Sequence, residues 1–194
     1  MVIISGPSGV GKDTIIEAMQ RRQPLHPRHY VITVTTRARR PAEVAGVSYH
    51  FLSLDDYARL RDDDGLLEAS EVHGNWYGTP RDQVQGALVS GSDAILKIDV
   101  QGAHKVRQKV RDALLIFVVP PSLEALQERL LGRSTESPAD LDRRIRDAEY
   151  ELSRASDYDH VVVNETDQID RTAEQIDAII AHEHARYPDR RIVV

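Results

Sequence analysis

Short apolar runs alternate with amphipathic stretches along most of this chain. Val2-Ile3-Ile4 is a run short enough for a buried strand, and Thr14-Ile15-Ile16-Glu17-Ala18-Met19 behind it has helical spacing. Tyr30–Thr36, rich in β-branched residues, reads as one strand. Ala94–Val100 reads as a strand with an acid, Asp99, at its end, followed by a helix over Ala103–Val110. Ala113–Val119 is the most apolar run, as expected of a parallel strand covered on both faces. Pro120-Pro121-Ser122 stops it, with Ser122 placed to cap a helix over Leu123–Leu131. A charged helix from Ala139 to about Ala155, a strand over His160–Asn164 and a closing helix over Ile169–Ala185 complete the series. Strand and helix alternate, which predicts an α/β fold with a mostly parallel sheet.

Two places depart from that rhythm. Arg37 to about Gly86 carries turn residues, aromatics, a short extended piece over Ser48–Leu52 and a short helix over Leu54–Asp63. It reads as a small inserted subdomain of short strands and one helix. Gly132–Pro138 is a polar loop.

Composition narrows the partners. A chain of 194 residues suits one compact domain, and 41% apolar with 29% charged residues is ordinary for a soluble protein. A formal net charge of −6 argues against broad nucleic-acid or membrane-surface binding. Without cysteine there is no disulfide, thiolate metal site or cysteine nucleophile. No apolar run approaches the length of a membrane-spanning helix. The sequence opens on a strand rather than on the basic and apolar regions of a signal peptide, so the cytoplasm is the expected compartment.

The first candidate chemistry lies between the first strand and helix, in Ser5-Gly6-Pro7-Ser8-Gly9-Val10-Gly11-Lys12-Asp13-Thr14. Gly6, Gly9 and Gly11 let backbone N–H groups approach an anion without Cβ interference. The helix start adds a favourable dipole, and Lys12 a positive charge that can follow a transferring phosphate. Gly6 to Thr14 therefore reads as a cradle for nucleotide phosphates. The residue after the lysine is usually Ser or Thr, a Mg²⁺ ligand; here it is Asp13, whose carboxylate is also a hard oxygen donor.

The segment Thr33-Val34-Thr35-Thr36-Arg37-Ala38-Arg39-Arg40-Pro41-Ala42-Glu43-Val44-Ala45-Gly46-Val47-Ser48-Tyr49-His50-Phe51 resembles the nucleotide-monophosphate signature of guanylate kinases. So do Leu67-Glu68, Gly74-Asn75-Trp76-Tyr77-Gly78-Thr79 and Ile98-Asp99-Val100-Gln101-Gly102. Arg129–Glu136 with Arg143-Arg144-Ile145 agrees in the same order, so the resemblance runs from Gly6 to Asn164. It implies a P-loop NTPase-type core (1–35, 87–122 and 157–194), an inserted GMP-binding subdomain (36–86) and a helical lid over ATP (123–156). The implied activity is ATP-dependent phosphorylation of GMP and dGMP with Mg²⁺.

The resemblance also implies roles. Thr33, Glu68 and Thr79 would contact guanine, with Asp99 near the same site. The chemistry is sensible: a carboxylate accepts from the adjacent N1–H and 2-amino donors of guanine, and hydroxyls donate to its acceptors. Adenine would oppose an acceptor to that carboxylate, a mismatch able to discriminate by roughly 10⁴ or more. Arg37 and Arg40, with Tyr49 and Tyr77, would hold the GMP phosphate, since guanidinium donors grip two oxygens at once. Arg129, Arg133 and Arg144 would reach ATP and, with Lys12 and Arg37, stabilise the moving phosphoryl group. Asn164 would contact adenine.

The bland readings are a solvated acid for Glu68 beside Asp62, Asp63 and Asp64, a basic surface turn for Arg37–Arg40, and an exposed ion-paired helix for the later arginines. Two other functions compete. A ribose 1,5-bisphosphate kinase fits Asp13 but does not need the guanine set. A non-catalytic guanylate-kinase-like interaction domain does not need Gly6, Gly11, Lys12 and the arginines. Departures from the family pattern are Asp13, Thr33 in place of serine, Lys97 where an acid often precedes Asp99, and Ser134 in place of a glycine.

Overall fold

The computed structural model describes residues 1–72, 74–131 and 138–194. In chain order the elements are β1 (Val2–Ser5), α1 (Lys12–Gln20), β2 (Arg28–Tyr30), β3 (Val34–Thr35), β4 (His50–Phe51) and α2 (Leu54–Asp62). Then come β5 (Leu66–Val72), β6 (Asn75–Pro80), α3 (Arg81–Val89), β7 (Asp93–Lys97), α4 (Val100–Lys109) and β8 (Leu114–Val119). The chain ends with α5 (Leu123–Leu131), α6 (Pro138–Ser153), a 3₁₀ turn at Ala155–Asp157, β9 (His160–Val163) and α7 (Ile169–Arg186). The strands form a five-stranded sheet, β2-β7-β1-β8-β9, and a four-stranded sheet, β4-β3-β6-β5. The fold is α/β, and the β2/β7 and β8/β9 pairs are parallel. No helix among the described residues is long and apolar enough to cross a membrane.

The chain divides into two compact units. The first comprises Met1–Ile3, His26–Ala113 and Arg191–Val194; the second comprises Ile4–Leu25 and Leu114–Arg190. In the second, α1 and α7 pack together, burying Ile15, Ala18 and Met19 of one and Ala173, Ile176 and Ile180 of the other. Arg22 on α1's end reaches Asp177 of α7 at 2.7 Å. Leu126, Leu130 and Ala148 form a further buried cluster joining α5 to α6. Ser122 Oγ accepts from the Ala125 N–H at 3.2 Å, the cap expected for α5.

The first unit corrects one expectation from sequence. Tyr30–Thr36 is not one strand: β2 pairs with β7, whereas β3 pairs with β4 and β6 in the other sheet. At the crossing, Ile32 N–H donates to Gln83 Oε1 at 2.9 Å and Ile32 C=O accepts from Gln83 Nε2 at 3.1 Å. A side-chain amide replaces the ladder at the residue where the chain changes sheets, so neither backbone group is left unpaired. Helix α3, which carries Gln83, was not expected either; it has Gly86 inside it and no side-chain cap.

Helix α2 starts at Ser53, whose Oγ accepts from Asp56 N–H at 3.1 Å. Val34, Tyr57 and Leu66 are buried together with Leu52, Leu60, Ala69 and Trp76 against them. Helix α4 is fastened along β5 by two lysines: Lys105 Nζ donates to Ala69 O, and Lys109 Nζ to Leu67 O at 2.6 Å. Four helical residues rise about 6 Å and two strand residues about 6.6 Å, so an i,i+4 pair on α4 matches alternate carbonyls of β5.

Candidate functional site

The glycine loop between β1 and α1 belongs to the second unit. Gly6 has φ of 146°, and a Cβ there would lie 2.3 Å from Val118 O of β8. Only glycine lets the loop leave β1 this close to the neighbouring strand. Gly11, at φ of 99°, turns the chain into α1. Lys12 Nζ folds back on the loop, donating to Gly6 O and Pro7 O at 2.5 and 2.9 Å.

Three expected ATP-site residues converge on this loop. Buried Arg144 donates through Nη2 to Ser8 Oγ at 2.7 Å. Arg129 donates to Asn164 O at 3.0 Å and to Thr166 Oγ1 at 3.3 Å, with Val10 O at 3.5 Å. Asn164, expected at adenine, is buried and turned inward: Nδ2 donates to Val10 O at 2.8 Å and Oδ1 accepts from Thr172 Oγ1 at 3.1 Å. Its amide holds the loop from beneath. A residue not singled out from sequence also takes part, since Ser8 N–H donates to Glu151 Oε2 of α6 at 3.3 Å.

Asp13 and Thr14 stand exposed in the first turn of α1. No cluster of three or more His, Asp or Glu suited to a metal occurs among the described residues, and Asp13 is the carboxylate donor beside Lys12. Arg133, Ser134 and the rest of residues 132–137, expected to form a polar loop, lie outside the described residues.

The first unit brings the expected base contacts together. Glu68 and Thr79 are register partners across β5 and β6. Glu68 is 3% exposed, so it is not the solvated acid that its neighbours in sequence suggested. Thr79 Oγ1 donates to Glu68 Oε1 at 2.8 Å, and Ser70 Oγ donates to Oε2 at 3.0 Å. Ser70, two residues on and on the same strand face, was not anticipated. Burial pushes the Glu68 carboxyl up to about 7, and the Asp99 carboxylate adds to the rise; the two hydroxyls and Lys105 oppose it. Asp99 caps α4, accepting from Gln101 N–H at 2.8 Å and Gly102 N–H at 3.0 Å. A Cβ on Gly102 would lie 3.0 Å from Glu68 Oε2, so glycine there admits the carboxylate against the helix start. Thr33 is buried beside this sheet, its carbonyl accepting from His50 N–H at 2.9 Å.

A second cluster in this unit has the chemistry of an anion grip. Arg37 donates through Nε to Tyr77 Oη at 3.2 Å and lies 5.5 Å from the Tyr49 ring centre. The Tyr49 and Tyr77 rings meet edge to face at 6.1 Å. Lys97 Nζ sits 4.8 Å from the Tyr49 ring, so the residue that replaces an expected acid adds a cation here. Arg40 contributes its backbone N–H, donated to Glu43 Oε2 at 2.8 Å, while its side chain is exposed.

Comparison with known proteins agrees with this arrangement. The family model described as guanylate kinase matches residues 1–183. The chain is 41% identical over 191 residues to a guanylate kinase of Chelativorans sp. (strain BNC1), covering 98% of this chain and 86% of that protein. It is 40% identical over 188 residues to a guanylate kinase of Latilactobacillus sakei subsp. sakei (strain 23K), covering 97% and 91%. The crystal structure of guanylate kinase from Anaplasma phagocytophilum superposes with a TM-score of 0.75 at 32% identity, over 94% of this chain and 85% of that one. A family match across nearly all of the sequence, at this identity and with this structural likeness, means that the chain belongs to the guanylate kinase family.

Proposed function

We propose that this protein transfers the γ-phosphoryl group of ATP to GMP or dGMP, giving ADP and GDP or dGDP, in the cytoplasm. The observation that carries the choice of acceptor is the buried Glu68 carboxylate, held by Thr79 and Ser70 rather than by a cation. A buried acceptor of this kind complements two adjacent N–H donors, which guanine has and adenine lacks. A ribose bisphosphate offers no such donors, so the guanine set disfavours the sugar kinase. Gly6 to Lys12, Arg144 and the Arg129–Asn164 pair make up a loop built for phosphates, which disfavours an interaction domain without catalysis.

In this reading no protein nucleophile is needed. Arg37 and Arg40 with the Tyr49 and Tyr77 phenols hold the GMP phosphate. The loop amides, Lys12 and Arg144 hold the phosphates of ATP, and we keep Arg133 in the same role from the family resemblance. These cations stabilise charge on the transferring group, which is most of what phosphoryl transfer requires of a protein. Mg²⁺ would be held by the ATP oxygens and the Asp13 carboxylate, and supplies charge neutralisation at the phosphates. Asn164 and Arg129 keep the loop in place, and Asn164 is assigned to that task rather than to adenine.

A coupled assay of ADP release tests the proposal, with GMP, dGMP, AMP, UMP and ribose 1,5-bisphosphate offered separately. GMP and dGMP are expected to turn over, with AMP slower by orders of magnitude. Equal rates with AMP, or turnover of the sugar phosphate alone, would overturn it.

A further inference from the structure

Arg37, assigned above to the substrate phosphate, already grips an anion of the chain itself. Its Nη2 donates to Glu43 Oε1 at 2.7 Å and its Nη1 to Glu43 Oε2 at 3.1 Å. This is the two-pronged pairing that guanidinium makes with an oxyanion. Nη1 also donates to Ala38 O at 2.7 Å, and Nε to Tyr77 Oη. A guanidinium has five N–H donors, so four are engaged and one remains. Glu43 Oε2 further takes the Arg40 N–H, so one carboxylate covers donors of both arginines assigned to the phosphate. The side chains of the pair are only 13% and 16% exposed, which removes it from the class of weak surface ion pairs.

We propose that Glu43 gates the phosphate grip: its carboxylate and the phosphate of the nucleoside monophosphate compete for the same donors on Arg37 and Arg40. The inference rests on the reading of this cluster as the monophosphate site. A phosphate that takes Arg37 with two oxygens must displace Glu43, because the donors left over do not make a fork. The phosphate has the means to do so. It carries more charge and more acceptor oxygens than a carboxylate, and can add the phenol groups, the exposed Arg40 guanidinium and Lys97. A nucleoside without phosphate has nothing to exchange. Without the Glu43 charge, Arg37 keeps its bonds to Tyr77 and Ala38, so the guanidinium stays in place while its fork is released. The glycine loop shows the same arrangement in the other unit, where Glu151 takes the Ser8 N–H. Chain carboxylates thus sit on donors of both phosphate-binding segments.

The consequence is weaker binding of any anion that needs the Arg37 fork, GMP and inorganic phosphate alike, with nucleosides unaffected. Titration calorimetry of the parent and Glu43→Gln with GMP, guanosine and inorganic phosphate tests it. The neutral amide retains an acceptor for Arg40 N–H but loses the competing charge. GMP and phosphate are expected to bind Glu43→Gln tighter by about 3-fold or more, the scale of a lost charge-assisted competitor, with guanosine unchanged. Equal or weaker GMP binding by a folded Glu43→Gln overturns the gate, whereas a parent that binds no GMP overturns the proposed function instead. Should the variant not fold, the parent gives the answer by carbon NMR. The Glu43 carboxyl signal should move on adding GMP and stay on adding guanosine, and a signal unmoved at saturating GMP would refute displacement.

Discussion

Thr79 Oγ1 donates a hydrogen bond to Glu68 Oε1 at 2.8 Å, between partners in register on adjacent antiparallel strands. The hydroxyl expected to meet guanine is therefore directed at the carboxylate that would meet guanine. Its donation favours the ionised form of Glu68 against burial. In the proposed reading Thr79 acts on the base through Glu68, as a positioning residue.

If Glu68 takes the guanine donors as proposed, it must be ionised, since a protonated carboxyl presents a donor where an acceptor is required. With Glu68 pushed up to about 7, kcat/KM for GMP is expected to rise with pH through that region and level off above it. Thr79→Val should move this limb to higher pH, and Thr79→Ser should return it. A pH profile that is the same in all three proteins would remove Thr79 from the control of Glu68.

The same group sets a stability dependence. Its folded pKa is raised, so between about 4.5 and 7 the folded chain holds a proton that the unfolded chain has released. Stability therefore falls as pH rises through that window, by up to about 3 kcal/mol for a shift of this size. Glu68→Gln should lack that part of the fall. Denaturant unfolding of both proteins at pH 5 and pH 7.5 measures it, and parallel losses in parent and variant would contradict it.

Two glycines with positive φ should respond differently to alanine. At Gly6 the added Cβ meets the Val118 carbonyl at 2.3 Å, and the backbone of β8 cannot yield as a flexible side-chain tip would. At Gly91, φ 76°, nothing lies within 4 Å. Gly91→Ala should cost about 1 kcal/mol from backbone conformation alone. Gly6→Ala should cost several times that, or prevent folding, as read by thermal or urea unfolding. Similar losses at the two positions would count against the close approach of the loop to β8.

Asp13 lends itself to a metal titration. If its carboxylate serves Mg²⁺, Asp13→Asn raises the Mg²⁺ concentration for half-maximal GMP phosphorylation, and Asp13→Ser restores it with the more usual hydroxyl. If it serves only the start of α1, both variants lose roughly 0.3–1 kcal/mol of stability from the helix dipole and keep the parent titration. Superimposed Mg²⁺ curves would decide for the helix.

The sequence by itself determined what depends on near neighbours. The Gly6–Thr14 loop, the apolar run that became β8, the cap at Ser122 and the buried stripe of α7 are each set within one turn or one strand. The spacing of Arg37, Tyr49, Glu68, Tyr77 and Thr79 was enough to name the family, since several motifs in one order are specific where each alone is not. Only the tertiary structure decided how those groups are used. The break between β2 and β3 depends on Gln83, some fifty residues away, taking both backbone groups of Ile32. The burial of Glu68 depends on strand register and on Gly102 of another element, and its raised pKa follows from that burial. Asn164 faces the loop because Val10 O accepts from its amide and Thr172 Oγ1 donates to it there, and Arg37, on which the Glu43 carboxylate lies, is bonded through Nε to Tyr77 of β6. Hydrogen-bond partners and local dielectric are properties of distant segments brought together, and no window along the chain contains them.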